Sequence, residues 1–193
     1  MKILKNQAVA LLLCLILISG ATWYGANRSL GARIYTVNEM FYEGVSYHPE
    51  LGRPMPSIHG QLSQRATAAL RVLSIGEHRA GLEQSREVLE TARRNLARLL
   101  DGGSPGELFL ADLELSFAFA DYIAVLRPML QAENAPDLET LDAAYDTMRN
   151  AARVIRDSGY NEVVLAFYDE VLGRFPTNIL INIVSHNPPE RFA

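Results

Sequence analysis

Residues 6–27, NQAVALLLCLILISGATWYGAN, form an apolar segment of 22 positions that holds no charged residue. An α-helix rises about 1.5 Å per residue, so this stretch matches the roughly 30 Å hydrocarbon layer of a bilayer. We therefore expect a transmembrane anchor over residues 1–27 and a helical domain over residues 28–193. The anchor residues are the apolar centre and the aromatic pair at its end: Leu11, Leu12, Leu13, Cys14, Leu15, Ile16, Leu17, Ile18, Trp23 and Tyr24.

A secretory signal peptide is the second interpretation of the same stretch. Lys2 and Lys5 form a basic n-region, and residues 19–21 or 24–26 supply the small residues that cleavage requires. The apolar run is longer than a usual h-region, and Trp23 and Tyr24 suit the membrane–water interface. These two features favour an uncleaved anchor over a signal peptide.

The side of the membrane on which the domain lies is weakly encoded. Two basic residues precede the span and two follow it, so the positive-inside rule does not decide. The order of basic residues and then an apolar run favours a single-pass protein of the cell membrane with its domain outside the cytoplasm.

Composition limits the partners of the domain. The chain has 193 residues and a net charge of -4, and this negative balance argues against nucleic acid. Cys14 is the only cysteine and lies in the predicted span, so we expect no disulfide within the domain.

Apolar periodicity predicts two helices after the span. Leu30, Ile34, Val37, Phe41 and Val45 recur every three or four residues, which predicts a helix over residues 28–45 that continues the span. Prolines between residues 49 and 56 predict a loop. A long helix follows over residues 58–100, and its two apolar series change phase across Ala80–Leu82, which predicts a kink, a π-bulge or a short break.

The third helix has the sharpest start signal in the chain. Ser104-Pro105-Gly106-Glu107 predicts an N-cap, a proline at the first helical position and a capping box. The helix is apolar on nearly every side, so we expect it to be the most buried element, with a kink or an end at Pro128. Asp121 interrupts this apolar run, and we expect it at a helix edge or beside a donor rather than in proton chemistry.

The last long helix is predicted from Pro136-Asp137 to Gly173. Its apolar stripe slips by one residue between Ile155 and Tyr160, which predicts a π-bulge or kink there. Residues 177–193 are expected to form a short amphipathic cap on one end of the bundle. Four helices with short connections predict an all-α, elongated antiparallel four-helix bundle whose longest helix reaches roughly 60 Å.

No motif for catalysis or cofactor binding is present. The sequence lacks the Glu-x-x-His pairs of di-metal bundles, a Gly-x-Ser-x-Gly elbow, a phosphate-binding loop and a CxxC pair. The charged residues of the second helix, including a Glu90–Arg94 pair, are typical of a solvated face rather than a basic patch. We therefore expect no catalytic residue, no metal, no cofactor and no enzymatic activity.

Residues 133–176 resemble the LemA family. The family's Glu-x-Tyr-Pro-Asp-Leu segment has its counterpart at Glu133, and its Tyr-Asn-x-x-Ile-x-x-Phe-Pro ending has its counterpart from Tyr168 onward. Phe192 is similar to an aromatic residue near the family's C terminus. The remaining matching positions are Pro136, Asp137, Leu138, Asp169, Leu172, Phe175 and Pro176. The resemblance implies a bacterial membrane protein with an antiparallel helical bundle and no established enzymatic activity.

Two departures make this a diverged resemblance. Tyr160-Asn161 stands eight residues before Tyr168 instead of the family's seven, which indicates an insertion near Gly159. The family's segment between its first two helices is replaced by Arg53-Pro54-Met55-Pro56.

Two functions follow from these features. The leading hypothesis is a scaffold or protein-interaction module of the cell envelope, with lipid around its anchor and a protein partner on its bundle. The alternative is a ligand- or lipid-binding sensor with an apolar groove between helices. An enzyme ranks third, and the sequence does not decide the oligomeric state.

Overall fold

The computed structural model describes residues 7–48, 52–133, 135–185 and 187–193. Across these residues the chain is all-α, as predicted, and its strands form one two-stranded hairpin. Contacts divide the chain into two compact units. The first holds the described residues of Met1–Asn38 and Glu162–Pro189, and the second holds those of Glu39–Asn161 and Glu190–Ala193.

Helix α1 runs without interruption from Gln7 to Tyr42. The continuous helix that the sequence predicted is confirmed, although it ends at Tyr42 rather than Val45. Burial begins near the predicted boundary between anchor and domain, because residues 11–25 are all exposed and the helix then buries one stripe from Ala26 onward. The stripe comprises Ala26, Leu30, Ile34, Val37 and Phe41.

A β-hairpin follows α1 where the sequence predicted the end of a helix and a loop. Strand β1, Gly44–His48, pairs antiparallel with strand β2, Arg53–Pro56, with Val45 opposite Met55. Both prolines of β2 lie in an edge strand, where a missing backbone N–H is tolerated. Residues 49–51 of the predicted loop lie outside the described residues.

The predicted long helix of residues 58–100 is two helices. Helix α2 spans Ile58–Ile75 and helix α3 spans Glu83–Leu100, each with 18 residues. The predicted break is confirmed, and the chain reverses there instead of bending, because α2 and α3 pack against each other. A helix of 18 residues is about 27 Å long, so the predicted helix of roughly 60 Å does not form.

Gly76 follows α2 and packs directly against the buried ring of Tyr122, where a larger side chain would not fit. A Cβ atom at Gly76 would lie 1.8 Å from the Tyr122 hydroxyl oxygen and 3.2 Å from Leu82 Cδ1. The Tyr122 side chain is fully buried, and its hydroxyl has no hydrogen-bond partner within the described part of the chain. Burial raises the pKa of Tyr122, against the smaller opposing effect of Arg86 and Arg79.

Helix α4, Pro105–Ala132, begins as predicted. The Ser104 backbone N–H donates to Glu107 (2.9 Å), and the Glu107 backbone N–H donates to the Ser104 hydroxyl (3.4 Å), which completes the capping box. Pro128 lies inside the helix, which continues to Ala132. We expected α4 to be the most buried element, and it has more buried residues than any other described helix, ten of 28, although its neighbours leave another face in solvent.

Helices α2 to α5 form the four-helix bundle of the second unit; α5 spans Asp137–Arg156. Helix α2 packs against α3 and α5, and α4 packs against the same two helices. Side-chain pairs fix antiparallel directions: Asn95 of α3 bonds Glu114 of α4, and Arg127 of α4 pairs with Asp142 of α5. A four-helix bundle is therefore confirmed, but its members differ from the predicted ones. The predicted second helix supplies two of them, and the predicted first helix lies in α1, which is not one of the four.

A buried ion pair joins the diagonal helices α2 and α4. Arg65 Nε lies 2.6 Å from Asp112 Oδ1, and both side chains are largely buried. Arg65 also donates to the Ser116 hydroxyl, which donates in turn to the Asp112 carbonyl (2.7 Å). Burial lowers the pKa of Arg65 and raises the pKa of Asp112, and in each case the charged partner opposes the shift.

The predicted slip before Tyr160 is a complete break. Helix α5 ends at Arg156, and helix α6 begins at Tyr160 and runs to Phe167. Gly159 has φ +83°, a left-handed conformation that glycine adopts without the steric cost of a side chain. A π-helical turn does occur, but farther along at Tyr168–Leu172.

The C-terminal residues divide into two parts. Helix α7, Thr177–Leu180, and a 3₁₀ turn, Ile181–Ile183, lie in the first unit. In the second unit, Phe192 packs near the rings of Phe41 (5.9 Å) and Phe109 (5.4 Å), and its backbone N–H donates to Asn161 (2.8 Å). The expected cap is thus limited to the last residues, because Ile179 and Ile183 are exposed.

Replacing Gly76 by alanine should destabilise the bundle by about 1–3 kcal/mol, since the new methyl group overlaps the Tyr122 hydroxyl. Tyr122→Phe should be near neutral, since it removes an unpaired buried hydroxyl, and Gly76→Ala with Tyr122→Phe should recover part of the loss. Urea unfolding of the full chain in detergent measures these changes. The control is Gly102→Ala, whose methyl group enters open space. Equal losses at the two glycines would contradict this packing.

Replacing Asp112 by leucine should cost about 3–5 kcal/mol, because Arg65 would remain buried without a counter-ion. The double variant Arg65→Met with Asp112→Leu should be about as stable as the unsubstituted protein, and therefore more stable than the Asp112→Leu variant. The control is Asp142→Leu, which breaks an exposed pair at 2.7 Å and should cost under about 1 kcal/mol. A loss at Asp112 no larger than at Asp142 would show that the buried pair does not hold the bundle.

Candidate functional site

An open groove of about 870 Å³ lies between α3 and α4 on the surface of the bundle. Its apolar floor is formed by Val88 and Ala92 of α3 and by Phe117 and Ala118 of α4. Phe117 is 65% exposed and Val88 is 53% exposed, which is unusual for an aromatic and a branched aliphatic side chain on a packed bundle. The rim is polar: Glu87, Thr91, Arg94, Asn95, Arg98, Glu114 and Asp121.

The groove exists because α4 is more apolar than its neighbours can cover. The inner face of α4 carries Asp112 and Ser116, which are bonded to Arg65 of α2. This network sets the rotation of α4 about its axis, so the adjacent positions Leu113 and Phe117 face solvent. Leu110, Leu113, Phe117 and Val125 are all exposed, and the first three recur at helical spacing.

The α3 wall is stiffened by ion pairs. Glu90 accepts two bonds from Arg93, each 3.0 Å, and one from Arg94 at 2.6 Å. The hydrogen bonds from Arg93, followed by those from Arg94, lower the pKa of Glu90, against the opposing effect of burial. The predicted Glu90–Arg94 pair is confirmed, and these arginines are engaged with a neighbouring carboxylate.

Polar contacts also join the two walls. The Asn95 amide donates to Glu114 of α4 (3.2 Å) and its oxygen accepts from Arg98 (3.0 Å). Asp121 lies on the groove rim and is exposed, which agrees with the expected helix-edge position. The groove therefore has an apolar centre and a rim that carries charges of both signs.

The predicted anchor residues all lie on the first part of α1 and are exposed. The apolar side chains from Leu11 to Ile18 are between 41% and 70% exposed, as are Trp23 and Tyr24. Cys14 is exposed beside them as a free thiol. Of the described helices, one is long and apolar enough to cross a membrane, and it contains these residues.

The family-motif residues lie in three places. Pro136 caps α5, and Leu138 is half-buried in its first turn. Asp137 accepts from Arg79 (3.3 Å), which also pairs with Glu133 and thereby ties the α2–α3 connection to the start of α5. The Glu133 hydrogen bond is the main reason that the pKa of Arg79 is raised.

The other motif residues lie at the end of the last helical segment. Tyr168, Asp169 and Leu172 are in the π-helical turn, and Phe175 and Pro176 follow it on the surface. Asp137 thus lies in an ion-pair cluster of the second unit, and the motif residues from Tyr168 to Pro176 belong to the first unit. Among the described residues, no group of three or more His, Cys, Asp or Glu is placed to hold a metal ion.

Two parts of this site were not predicted from the sequence. The Arg65–Asp112 pair joins residues 47 positions apart, and nothing local marks either as a partner of the other. The groove did have a signal in the sequence, because α4 is apolar on nearly every side. We interpreted this as burial, but an apolar helix is buried only where enough neighbouring elements pack against it.

Comparison of the chain with protein-family models, with curated proteins and with solved structures found no match.

Proposed function

We propose that this protein is a membrane-anchored helical bundle that binds a partner protein through the groove between α3 and α4. The observation that carries the proposal is the exposed Phe117 at the centre of an apolar groove with a charged rim. Exposed aromatic side chains surrounded by polar residues are typical of the anchoring points of protein interfaces.

The shape of the groove favours a partner segment over a small molecule. Two antiparallel helices form its walls, and a third amphipathic helix laid between them would cover Val88 and Phe117. Small-molecule sites bury most of the ligand surface, whereas this groove is open and leaves its aromatic centre in solvent. The α3 wall carries Arg94 and Arg98 together with Glu87, and the α4 wall carries Glu114 and Asp121, so a partner helix with basic residues on its α4 side and mixed charge on its α3 side would fit.

The proposal places the bundle at a membrane. We infer that α1 crosses the bilayer once, with the exposed apolar residues before Ala26 in lipid and the rest of the chain outside the cytoplasm. The apolar surface of this half of α1 and the aromatic residues at its end support a span. The signal-like order of the N-terminal residues supports the orientation.

We also infer that the chain is a diverged member of the LemA family in a bacterial envelope. The matching residues from Glu133 to Pro176 support this, together with an N-terminal membrane helix that precedes a helical bundle. The break at Gly159 coincides with the position where the sequence departs from the family by one residue. The proposed activity is binding, without catalysis.

A ligand- or lipid-binding sensor is the second candidate. A groove of about 870 Å³ lies within the size range of ligand sites, and its floor is apolar. A lipid chain along Val88, Ala92 and Phe117 would then replace the partner segment.

Photocrosslinking in bacterial cells separates these two candidates. A photoreactive amino acid replaces Val88 in the full chain, and the proteins that become attached to it are detected. A protein adduct should form there, and Phe117→Asp should reduce its yield at least tenfold, because truncating an interface anchor costs about 2 kcal/mol or more. The matched control is Leu110→Asp, on the same helix at 60% exposure but outside the groove, which should leave the adduct unchanged.

The same two variants also test the ligand- or lipid-binding sensor. An adduct that survives Phe117→Asp, or no protein adduct at all, would contradict the partner groove. Bound lipid in native mass spectra that is lost in Phe117→Asp and retained in Leu110→Asp would support the sensor instead. Unchanged unfolding midpoints for both variants would show that the bundle itself is intact.

A further inference from the structure

A second exposed apolar surface lies in the first unit, after the π-helical turn. Phe175 is 80% exposed, Ile179 is 58% exposed and Ile183 is 42% exposed. Phe175 precedes α7, Ile179 lies within it and Ile183 ends the following 3₁₀ turn, so the three exposed apolar residues lie within nine consecutive residues. An exposed phenylalanine with two exposed isoleucines is a surface that water solvates poorly.

Asn27 of α1 holds the end of this segment. Its side-chain amide donates to the carbonyl of Ile183 (3.5 Å), and its side-chain oxygen accepts from the Ser185 backbone N–H (2.9 Å). The same amide donates to the carbonyl of Trp23, one turn earlier on α1 (3.1 Å). The segment is therefore attached to α1 directly after the aromatic pair Trp23 and Tyr24.

The attachment point lies where the apolar part of α1 ends. From Val9 to Asn27 the helix rises about 27 Å, close to the thickness of a hydrocarbon layer. Arg28 is the first charged residue after the span, and its guanidinium lies 3.5 Å from the Tyr24 hydroxyl. Trp and Tyr rings and arginine side chains are the groups that prefer the membrane–water interface.

We propose that residues 175–183 form a second membrane contact, lying in the interfacial layer of the leaflet where α1 leaves the bilayer. The occupant is lipid, because Asn27 holds the end of this segment one turn after Trp23 and Tyr24, where the exposed apolar part of α1 ends. Arg174 and Arg28, both exposed, flank the surface and suit phosphate headgroups. A short segment with exposed apolar residues that lies at the level of the headgroups is typical of interfacial membrane binding.

This inference rests on the proposed membrane anchor and adds a consequence to it. One transmembrane helix alone leaves the first unit free to rotate and tilt about that helix. A second contact beside the exit point restricts both motions, since Phe175 and Ile179 would leave lipid when the unit tilts away.

The test uses the full chain in phosphatidylcholine–phosphatidylglycerol vesicles with lipid-attached nitroxide quenchers near the headgroup. Trp23 is the only tryptophan, and its quenching reports the anchor. A fluorescent label on Ile179→Cys, in a Cys14→Ala background, reports the second contact. A label on Arg149→Cys, an exposed position of α5, is the control.

The expected result is quenching of both Trp23 and the Ile179 label, severalfold above that of the Arg149 label, with the Ile179 label also shielded from iodide in the water phase. Quenched Trp23 with an Ile179 label that behaves like the control would overturn the second contact and leave the anchor standing. Unquenched Trp23 would overturn both. If the substitution at Ile179 disturbs the segment, a label on Ile183→Cys, next to the Asn27 hydrogen bonds, repeats the test. Quenching of this label supports the second contact.

Discussion

Within the described part of the chain, no protein surface covers the apolar side chains from Leu11 to Ile18 of α1, and the proposed membrane attachment depends on this constraint. Leucines and isoleucines from Leu11 to Ile18 project around the whole helix at 41–70% exposure. At roughly 25 cal/mol per Å² of apolar surface, leaving them in water is strongly unfavourable, and a bilayer removes that cost. Burial begins at Ala26, so one helix changes its environment within a turn of Trp23 and Tyr24. The proposed tether and the interfacial segment near Asn27 both follow from where that change occurs.

The bundle also has apolar side chains that its own helices do not cover, although fewer than α1 has. Helix α4 has more apolar surface than α2, α3 and α5 cover, and the Arg65–Asp112–Ser116 network decides which part of it is buried. A buried ion pair contributes little net stability compared with apolar side chains of the same size, but it disfavours any rotation of α4 that separates the charges. The face that this choice leaves outside carries Phe117, and the groove with α3 is the result. The proposed partner site is thus a consequence of how the core is aligned.

Local signals in the sequence were sufficient for the local features of the fold. The capping box at Ser104, the uninterrupted α1 and the break after Gly76 are each present as predicted, and the irregularity expected before Tyr160 is present as a complete break rather than a π-bulge or kink. Features that depend on distant residues were not predicted. Periodicity cannot tell a bend from a reversal at residues 76–82, so α2 and α3 were joined in one helix. It also cannot count the neighbours of α4, which is why a solvent-exposed face was taken for core. The pairing of β1 with the proline-containing strand β2 and the Arg65–Asp112 contact likewise arise only once the chain has folded. The groove therefore results from tertiary packing, which local patterns in a single sequence do not predict.

The central claim is that α1 stays attached and spans the bilayer. Its most direct test is extraction of membranes that contain the full-length product at alkaline pH, followed by intact mass measurement of the extracted and retained protein. The account predicts that the protein stays in the membrane fraction with the mass of the complete 21.4 kDa chain. A soluble product that has lost its N-terminal residues through cleavage after Ala21 or Ala26 would contradict it.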